Sequence, residues 1–479
     1  MINQDSDFSV SVESCNAPEL HPKMTSEMGS EVATAKKGFR FRQVVNLATV
    51  ASTAVFSGMV IGWAAVLPKL EEDTSKFRVN KEHVSLLVSF LPILGIATSL
   101  VASSLMEWLG PRRMILCAIF PMPGFWLMKA YSPYLALLYV GRGGLAITSS
   151  LIGTALQPLV AELSPSNIRG LASSSAEIVA AIGVLVSYLL AHFLPWGLAT
   201  AVSAVPCLPI FLMLLTVPES PYWLIRQNKL EEAEQSLKNL AASGTDVAEQ
   251  LNAIAATSAP TKASFKYQAS QLKKQQNRQP VLLLWVMFIL RELGGKSALF
   301  SYSVYMFRQA RVEIDPFVCT ILIGIIRVVG NIASALTMDR IGRRPFLMIS
   351  SFVCGISIGM TGLFLMLELP GQSWMPLVLL LLFVGSFGIG LGPIPWIYVG
   401  ELIPTPVRSL GASLITATYN LVIFGLNYAF LKIIAELELG TTLMIFSLPN
   451  FLVVLMVSCW FPETRGKSLQ ELEKAFKTK

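Results

Sequence analysis

The chain has 479 residues, of which 53% are hydrophobic and only 14% charged, and its formal net charge is +7. An ordinary soluble domain is about one-quarter charged, so this composition excludes a disordered chain and argues against a soluble globular protein. Six cysteines lie far apart and three histidines are scattered, which indicates neither a disulfide framework nor a metal centre. The simplest remaining interpretation is a helical membrane protein with many spans.

The first 43 residues are polar and lack the apolar segment of a signal peptide, which predicts a cytosolic tail. Twelve apolar segments of about 20 residues follow, each long enough to cross a bilayer. Within the polar stretch that separates the sixth and seventh segments, residues 229–240 have the pattern of an amphipathic helix. The predicted spans are 44–68, 83–106, 114–130, 134–158, 171–194, 197–217, 281–305, 316–338, 346–368, 374–397, 410–434 and 441–461.

The sequence therefore predicts an all-α membrane protein of twelve transmembrane helices in two six-helix halves. The predicted divisions are a cytosolic tail (1–43), a first half (44–217), a cytosolic helical linker (218–280), a second half (281–461) and a cytosolic C-terminal tail (462–479).

Basic residues predict the orientation of these spans, because cytosolic loops carry an excess of Lys and Arg. If both termini are cytosolic, 25 of the 37 basic residues lie inside. The positive charge then comes from loops beside the membrane, and no nucleic-acid partner is expected. The eight basic residues on the outer side of the membrane are Lys69, Lys76, Arg78, Lys81, Lys129, Arg308, Arg311 and Lys432. The four that fall within spans are Arg142, Arg291, Lys296 and Arg327.

Three acid–base motifs recur after equivalent spans of the two halves, which indicates a duplicated six-helix unit. Two such halves around a central site are typical of alternating-access transporters. We expect acids and arginines of these loops to pair across the halves and to hold the inner side closed; the alternative is that the basic residues only anchor helix ends at the lipid headgroups. The predicted gating residues are Glu107, Arg112, Arg113, Arg142, Glu162, Arg169, Asp339, Arg340, Arg343, Arg344, Glu401 and Arg408.

These motifs resemble those of the sugar porter family of the major facilitator superfamily, over about residues 44–472. The segment Gly62-Trp63 before Pro68 is similar to the insect facilitated trehalose transporter branch. The resemblance implies passage of hexoses or small disaccharides, and the family's plasma-membrane location and monomeric state. The motifs that carry it are Gly141-Arg142, Pro158…Glu162…Arg169-Gly170, Pro218-Glu-Ser-Pro…Leu224, Asp339-Arg-Ile-Gly-Arg-Arg344, Gly392-Pro-Ile-Pro-Trp396…Glu401…Arg408 and Pro462-Glu-Thr…Gly466-Lys-Ser-Leu469.

Two prolines in the segment Gly392-Pro-Ile-Pro-Trp396 remove helix hydrogen bonds, so span ten is predicted to break there. A broken span beside a cavity is an expected place for binding or gating. Trp396 would then stack on a sugar; the alternative is a tryptophan at the headgroup level.

The positions that contact sugar in the family differ here. Sugar porters carry Gln-Gln-Leu-Ser-Gly-Ile-Asn in span seven, and this chain has Arg291-Glu-Leu-Gly-Gly-Lys-Ser297. By the same correspondence, a family Asn falls on Arg327, a family Gln on Glu177, and an Asn-Trp pair on Tyr419-Asn420. The predicted binding residues are Glu177, Arg291, Glu292, Lys296, Ser297, Arg327, Trp396 and Asn420.

Charged groups in mid-membrane should find partners. Glu292 and Lys296 are four residues apart and predicted to pair on one helix face, and Glu177 is predicted to pair with Arg291 or Arg327 across the halves. Three interpretations stay open: a sugar carrier with altered selectivity, a carrier of an anionic small molecule, and a non-transporting sensor or scaffold.

Span one has no Asp or Glu at the place where proton-coupled relatives carry an acid, so the resemblance implies facilitated diffusion; proton coupling through Glu177 is the alternative. No constellation for enzyme chemistry and no ATP-binding motif is present, so we expect no enzyme activity, cofactor or metal. The expected partners are a small-molecule substrate and the lipid bilayer.

Overall fold

Helices are the only regular secondary structure in the part of the chain that this computed structural model describes. That part comprises residues 41–75, 77–164, 169–240, 247, 251, 254, 265–367, 373–404 and 407–464. The side chains of four predicted gating residues, Arg169, Asp339, Arg340 and Arg408, lie outside the described set.

The first half contains six predicted spans at the positions expected. Span one is a succession of four short helical pieces, and spans three and six are each built from two. The helices are Phe41–Ser52, Ala54–Gly62, Trp63–Val66 and Leu67–Glu72 (span one), Lys81–Leu109 (two), Pro111–Ile119 and Met122–Ala130 (three), Leu135–Leu163 (four), Arg169–Phe193 (five), and Trp196–Val202 and Cys207–Leu214 (six).

The second half repeats this plan, with breaks in spans seven and ten. Its helices are Gln275–Leu293 and Lys296–Gln309 (seven), Pro316–Ile341 (eight), Arg343–Leu367 (nine), Met375–Ser386, Phe387–Leu391 and Ile394–Leu402 (ten), Arg408–Leu437 (eleven) and Leu439–Trp460 (twelve). Between the halves lie the helices Pro221–Arg226, Leu230–Leu240 and Phe265–Leu272. The second of these is the predicted amphipathic helix, with Ala233, Leu237 and Leu240 on its buried side.

Ten of the predicted spans have described helices long and apolar enough to cross a membrane. The other two, spans three and seven, are interrupted. Span three breaks where Phe120 meets Pro121, and span seven breaks at Gly294-Gly295, where Gly295 has a φ of +90°. A positive φ is accessible to glycine at little steric cost, so the sequence permits the second break locally.

The two halves meet along two pairs of spans that the internal repeat relates to each other. Span two packs against span eleven, and span five against span eight. We name the end of the bundle that carries the helices Pro221–Arg226, Leu230–Leu240 and Phe265–Leu272 the linker face, and the other end the opposite face. The site residues lie on both sides of this interface.

Within the first half, spans one and five approach so closely that glycine is required at the contact. A β-carbon on Gly183 would lie 2.3 Å from the carbonyl oxygen of Val55, and one on Gly58 would lie 2.0 Å from the carbonyl oxygen of Ala180. Small residues allow such close backbone approach between membrane helices.

We expect Gly183→Ala to destabilise the folded protein by about 1–3 kcal/mol, because backbone atoms rather than flexible side chains would have to move. The measurement is the thermal unfolding midpoint of the detergent-solubilised protein. Gly124→Ala is the matched control, because no atom lies within 4 Å of a β-carbon at Gly124. Equal midpoints for the two variants would contradict the close contact.

Candidate functional site

At the linker face, a glutamate just after the last span of each half binds the start of a helix in that half; Glu219 is buried and Glu463 is half-buried. Glu219 accepts hydrogen bonds from the backbone N–H groups of Arg112 (3.0 Å) and Arg113 (3.3 Å). In the second half Glu463 accepts from Arg343 and Arg344, both at 3.0 Å. A carboxylate satisfies N–H groups that a helix start leaves without partners. The two halves thus repeat one contact as well as one sequence motif.

Glycines with positive φ make room for these glutamates. Gly110 (φ +90°) and Gly342 (φ +103°) precede the two helix starts, and a β-carbon on either would lie 2.9 Å from the Oε2 atom of its glutamate. Burial raises the pKa of the Glu219 carboxyl, while the backbone hydrogen bonds from Arg112, Ser220 and Arg113 oppose that shift. The carboxyl group at this position therefore serves mainly as a hydrogen-bond acceptor.

A single difference between the repeats makes the linker face asymmetric. Arg343, directly after Gly342, places its Nη2 atom 3.5 Å from Oε1 of Glu401. The equivalent position after Gly110 is Pro111, which has neither a charge nor an N–H group. Glu162, the counterpart of Glu401, accepts a hydrogen bond from the Ser220 hydroxyl instead, and Glu219 binds the next two N–H groups along the chain.

Several predicted gating residues that the structure describes form contacts close to their own half. Arg112 donates to the carbonyl oxygens of Leu214 and Leu215, and Arg344 donates in the same way to Val457 and Ser458. The backbone carbonyl of Glu107 accepts from the Trp223 indole at 2.9 Å. Each of these described contacts joins a half to itself or to the segment that directly adjoins it, and pairing across the halves at the linker face stays a prediction.

At the opposite face, contacts do join the halves. Arg308 forms an ion pair with Glu72 at 2.8 Å, and the Tyr305 hydroxyl donates to Glu71 at 2.9 Å. Deeper in the interface, the Tyr188 hydroxyl donates to the carbonyl oxygen of Phe300 at 2.9 Å. The opposite face is therefore held closed by polar groups at the ends of spans one and seven.

Arg142 is not a gating ion pair either. Its guanidinium donates to the carbonyl oxygens of Val60 (2.9 Å) and Leu87 (3.1 Å) and lies 4.6 Å from the Trp63 ring centre. Among the described residues no carboxylate pairs with it. Arg142 thus joins spans one, two and four of the first half through neutral partners.

Lys129 lies beside Arg142, and its predicted place in an outside loop is wrong. Its side chain is fully buried, with Nζ 3.7 Å from the Trp63 ring centre and 4.1 Å from that of Trp126. Nζ of Lys129 has no hydrogen-bond partner in the described structure, so the polar end of this side chain contacts indole faces, which are electron-rich.

The central charges of the second half form one compact network. Oε1 of Glu292 lies 3.1 Å from Nη1 of Arg291 and 2.9 Å from Nζ of Lys296. The predicted pairing of Glu292 with Lys296 is present, but across the break at Gly294-Gly295 rather than along one continuous helix. Arg291 also donates to the carbonyl oxygens of Leu391 (2.9 Å) and Gly392 (3.1 Å) in span ten.

Three aromatic rings lie directly beside this network. The ring centres of Phe288 and Trp396 are 4.7 Å apart, those of Trp396 and Tyr419 are 5.5 Å apart, and the third pair is 5.8 Å apart. Trp396 is 38% exposed, and the Tyr419 hydroxyl lies 3.3 Å from Nζ of Lys296. We name Phe288, Trp396 and Tyr419 the aromatic cluster; it offers a ring face next to polar hydrogen-bonding groups.

The remaining predicted binding residues are dispersed. Ser297 is buried, and Asn420 donates to the carbonyl oxygen of Thr416 on its own helix. The Arg327 guanidinium lies 4.4 Å from the Phe300 ring centre, and its buried Nη1 atom has no hydrogen-bond partner in the described structure. Glu177 is exposed, and among the described side chains it forms no ion pair with Arg291 or Arg327. That predicted bridge across the halves is absent from this conformation.

Sequence reasoning missed two members of the aromatic cluster. Phe288 is three residues before Arg291, about one helical turn away. Helical periodicity therefore predicts that the two side chains lie on the same face of span seven. Tyr419 directly precedes Asn420, the residue that the family's amide position indicates. Because neighbouring residues of a helix face different directions, a prediction for Asn420 does not extend to Tyr419.

Comparison with known proteins places this geometry in a family. The sequence matches the model of the family described as Sugar (and other) transporter over residues 43–476. The facilitated trehalose transporter Tret1 of Anopheles gambiae is 27% identical over 430 residues, which are 87% of this chain and 54% of that protein. The Tret1-2 homolog of Drosophila simulans is 25% identical over 447 residues, 92% of each chain. This chain spans about half the length of the Anopheles relative.

Solved structures share the fold. The inward-open xylose transporter XylE from E. coli superimposes with a TM-score of 0.76 at 19% identity, covering 91% of this chain and all of that one. XylE as a major facilitator superfamily proton:xylose symporter bound to 6-bromo-6-deoxy-D-glucose gives a TM-score of 0.71 at 20% identity, covering 90% and 99%.

The twelve-span architecture with its two repeated halves defines a multi-pass membrane protein of the major facilitator fold, as predicted. Within that class, the chain belongs to the Sugar (and other) transporter family. The resemblance to sugar porters is thereby confirmed. Membership of a family of transporters also agrees with the prediction that the chain is not an enzyme.

The glutamates of the linker face give a stability prediction. We expect Glu219→Ala to destabilise the protein by about 1–3 kcal/mol, because it leaves buried backbone N–H groups without an acceptor. Glu219→Gln should cost less, since it keeps one acceptor oxygen and burial already disfavours the charge. Thermal unfolding in detergent measures both, with Glu231→Ala, an exposed acid of the linker helix, as the control. Equal midpoints for Glu219→Ala and Glu231→Ala would contradict this role.

Proposed function

We propose that the protein moves a sugar, either a hexose or a disaccharide such as trehalose, across a membrane by facilitated alternating access. The observation that carries this proposal is the aromatic cluster Phe288–Trp396–Tyr419 beside the break in span ten. Sugars present apolar C–H faces that pack on aromatic rings and hydroxyls that both donate and accept hydrogen bonds. An exposed indole next to the Tyr419 hydroxyl and Lys296 supplies both kinds of contact.

The partners of Arg142 support transport without proton coupling. Coupling requires a group that gains and loses a proton during the cycle, and a carboxylate beside the arginine of span four would supply one. Arg142 instead binds two backbone carbonyls and an indole ring, and the titratable group that shares this indole ring is the amine of Lys129 rather than a carboxylate. Movement down the sugar gradient is the mode that this arrangement favours.

We further propose that the linker face is cytosolic, as the excess of basic residues on that side indicates. If so, the contacts that join the halves at the opposite face close the protein on its outer side in this conformation. The ion pair between Arg308 and Glu72 would break when the carrier opens outward. A plasma-membrane location and a monomeric state, both implied by the family resemblance, belong to the same proposal.

A second candidate function has one specific observation in its favour. Nη1 of Arg327 is buried without a hydrogen-bond partner in the described structure, and the Arg291–Glu292–Lys296 network carries two cations for one anion. An anionic small molecule would supply the missing acceptor. The uptake experiment below separates this candidate from the sugar carrier.

The test is uptake into oocytes of labelled trehalose, glucose, fructose, a polyol, urate and lactate. We expect saturable sugar uptake that is unchanged by a protonophore and equal at mildly acidic and neutral pH. Anion uptake that is lost in Arg327→Gln would support the second candidate. A protein that reaches the membrane and moves none of these compounds would contradict both and favour the non-transporting interpretation.

The aromatic cluster gives a quantitative expectation. Truncating an aromatic anchor of a binding site costs on the order of 1–2 kcal/mol, so Trp396→Ala should raise the KM for sugar about tenfold. Trp396→Phe should recover most of the affinity. Trp108→Ala is the control, because Trp108 is 76% exposed and remote from the cluster. An unchanged KM in Trp396→Ala would show that the indole is only a packing group.

A further inference from the structure

Span ten contains a break that leaves two backbone carbonyls without their normal helix partners. Residues Phe387–Leu391 form a π-helical turn, closed by the Gly392 N–H donating to the carbonyl oxygen of Phe387 at 2.7 Å. Pro395 has no N–H to offer the carbonyl of Leu391 four residues earlier. The N–H of Trp396 donates to the carbonyl of Pro393 at 3.2 Å instead of to that of Gly392 in regular α-helical register.

Arg291 binds both of these carbonyls. Its Nε atom lies 2.9 Å from the Leu391 oxygen and its Nη2 atom 3.1 Å from the Gly392 oxygen. The third nitrogen, Nη1, lies 3.1 Å from Glu292. The residue is 4% exposed, so every nitrogen of the guanidinium has a partner inside the protein.

The Ser350 hydroxyl in span nine holds the same turn from the other side. It donates to the carbonyl oxygen of Ser386 at 2.6 Å and accepts from the N–H of Leu391 at 2.8 Å. The π-helical turn is therefore fixed at its start and end by side chains of spans seven and nine.

The helix that follows the break carries two groups of the proposed transport site. Ile394–Leu402 contains Trp396, which belongs to the aromatic cluster, and Glu401, which pairs with Arg343 at the linker face. The geometry of the break sets where both groups lie. An interaction that fixes the break thus affects the binding surface and the linker-face contact together.

We infer that Arg291 is a positioning residue that fixes the break of span ten and does not bind substrate. Glu292 serves as its counter-ion, which leaves Lys296 and the Tyr419 hydroxyl as the polar groups that face the ligand. The effect on transport rests on the proposed function, whereas the structural role of Arg291 does not.

The first test measures span ten directly, without a substrate. Hydrogen–deuterium exchange of the full chain in nanodiscs reports how often the backbone of residues 387–402 opens. Arg291→Lys keeps the charge but lacks the planar fork that reaches two carbonyls. We expect exchange in these residues to rise about tenfold, as for the loss of paired hydrogen bonds, with exchange in the first half unchanged. Wild-type exchange in span ten would overturn the inference.

A serine pair provides a variant and a matched control that preserve the charges. Ser350→Ala removes the other contact to the turn and should raise exchange in the same residues. Ser357→Ala lies on the same helix, is equally buried, and removes only a hydrogen bond to Val353 on its own helix. Exchange that rises equally in the two serine variants, or in neither, would contradict the assignment of the turn.

Transport kinetics then separate positioning from binding. For Arg291→Lys we expect a lower maximal rate together with a higher KM for sugar, and no further rise in KM when the change is combined with Trp396→Ala, because Arg291 acts through the position of Trp396. KM increases that multiply in the double variant would show that Arg291 contacts substrate independently of Trp396. If wild type moves no sugar, the proposed function fails, and the exchange experiment still decides the role of Arg291.

Discussion

The structure depends on one constraint: a charged side chain in an apolar environment must have its partners within the protein. Several arginines that the structure describes meet it with backbone carbonyls. Arg112, Arg142 and Arg291 each bind two carbonyl oxygens. Two of these contacts occur where regular hydrogen bonding stops, at the end of span six and at the break of span ten. In such places a guanidinium stabilises backbone that would otherwise lack donors.

This use of arginine is consistent with the proposal that a cationic central sequence serves a neutral sugar. Charged residues stand where sugar porters carry glutamines, which on sequence alone favours an anionic ligand as much as a sugar. In the folded chain Arg291 pairs with Oε1 of Glu292 and binds the span-ten backbone, while the buried Oε2 atom of Glu292 has no partner in the described structure. Under the proposed function, the surface that remains for a ligand is mainly aromatic, with the Lys296 ammonium and the Tyr419 hydroxyl at its edge. The number of charged residues in the central sequence is therefore larger than the number of charged groups that a ligand would contact.

The parts of the structure that sequence predicted are those governed by local rules. Apolar segment length gave the spans, and Pro393 and Pro395 located the break in span ten. The contacts that sequence did not predict depend on distances between segments far apart in the chain. Glu177 and Arg327 have complementary charges, but no pattern along the chain states how far apart their spans lie. Predicting that the Lys129 side chain is buried would require the positions of Trp63 and Trp126, which lie in different spans. Pro111 was visible as a departure from the repeat, yet its effect on Glu162 required the position of Ser220.

The burial of Lys129 between two indole rings also makes this residue a natural reporter. Its amine is fully buried, whereas Lys81 near the same face is open to solvent, and the amine of the half-buried Lys69 donates to the carbonyl oxygens of His192 and Leu194. Acylating reagents reach only amines that water reaches, so Lys129 is modified when spans one and three separate. Its labelling rate therefore measures how often the first half opens internally. The measurement needs neither an engineered cysteine nor a substrate.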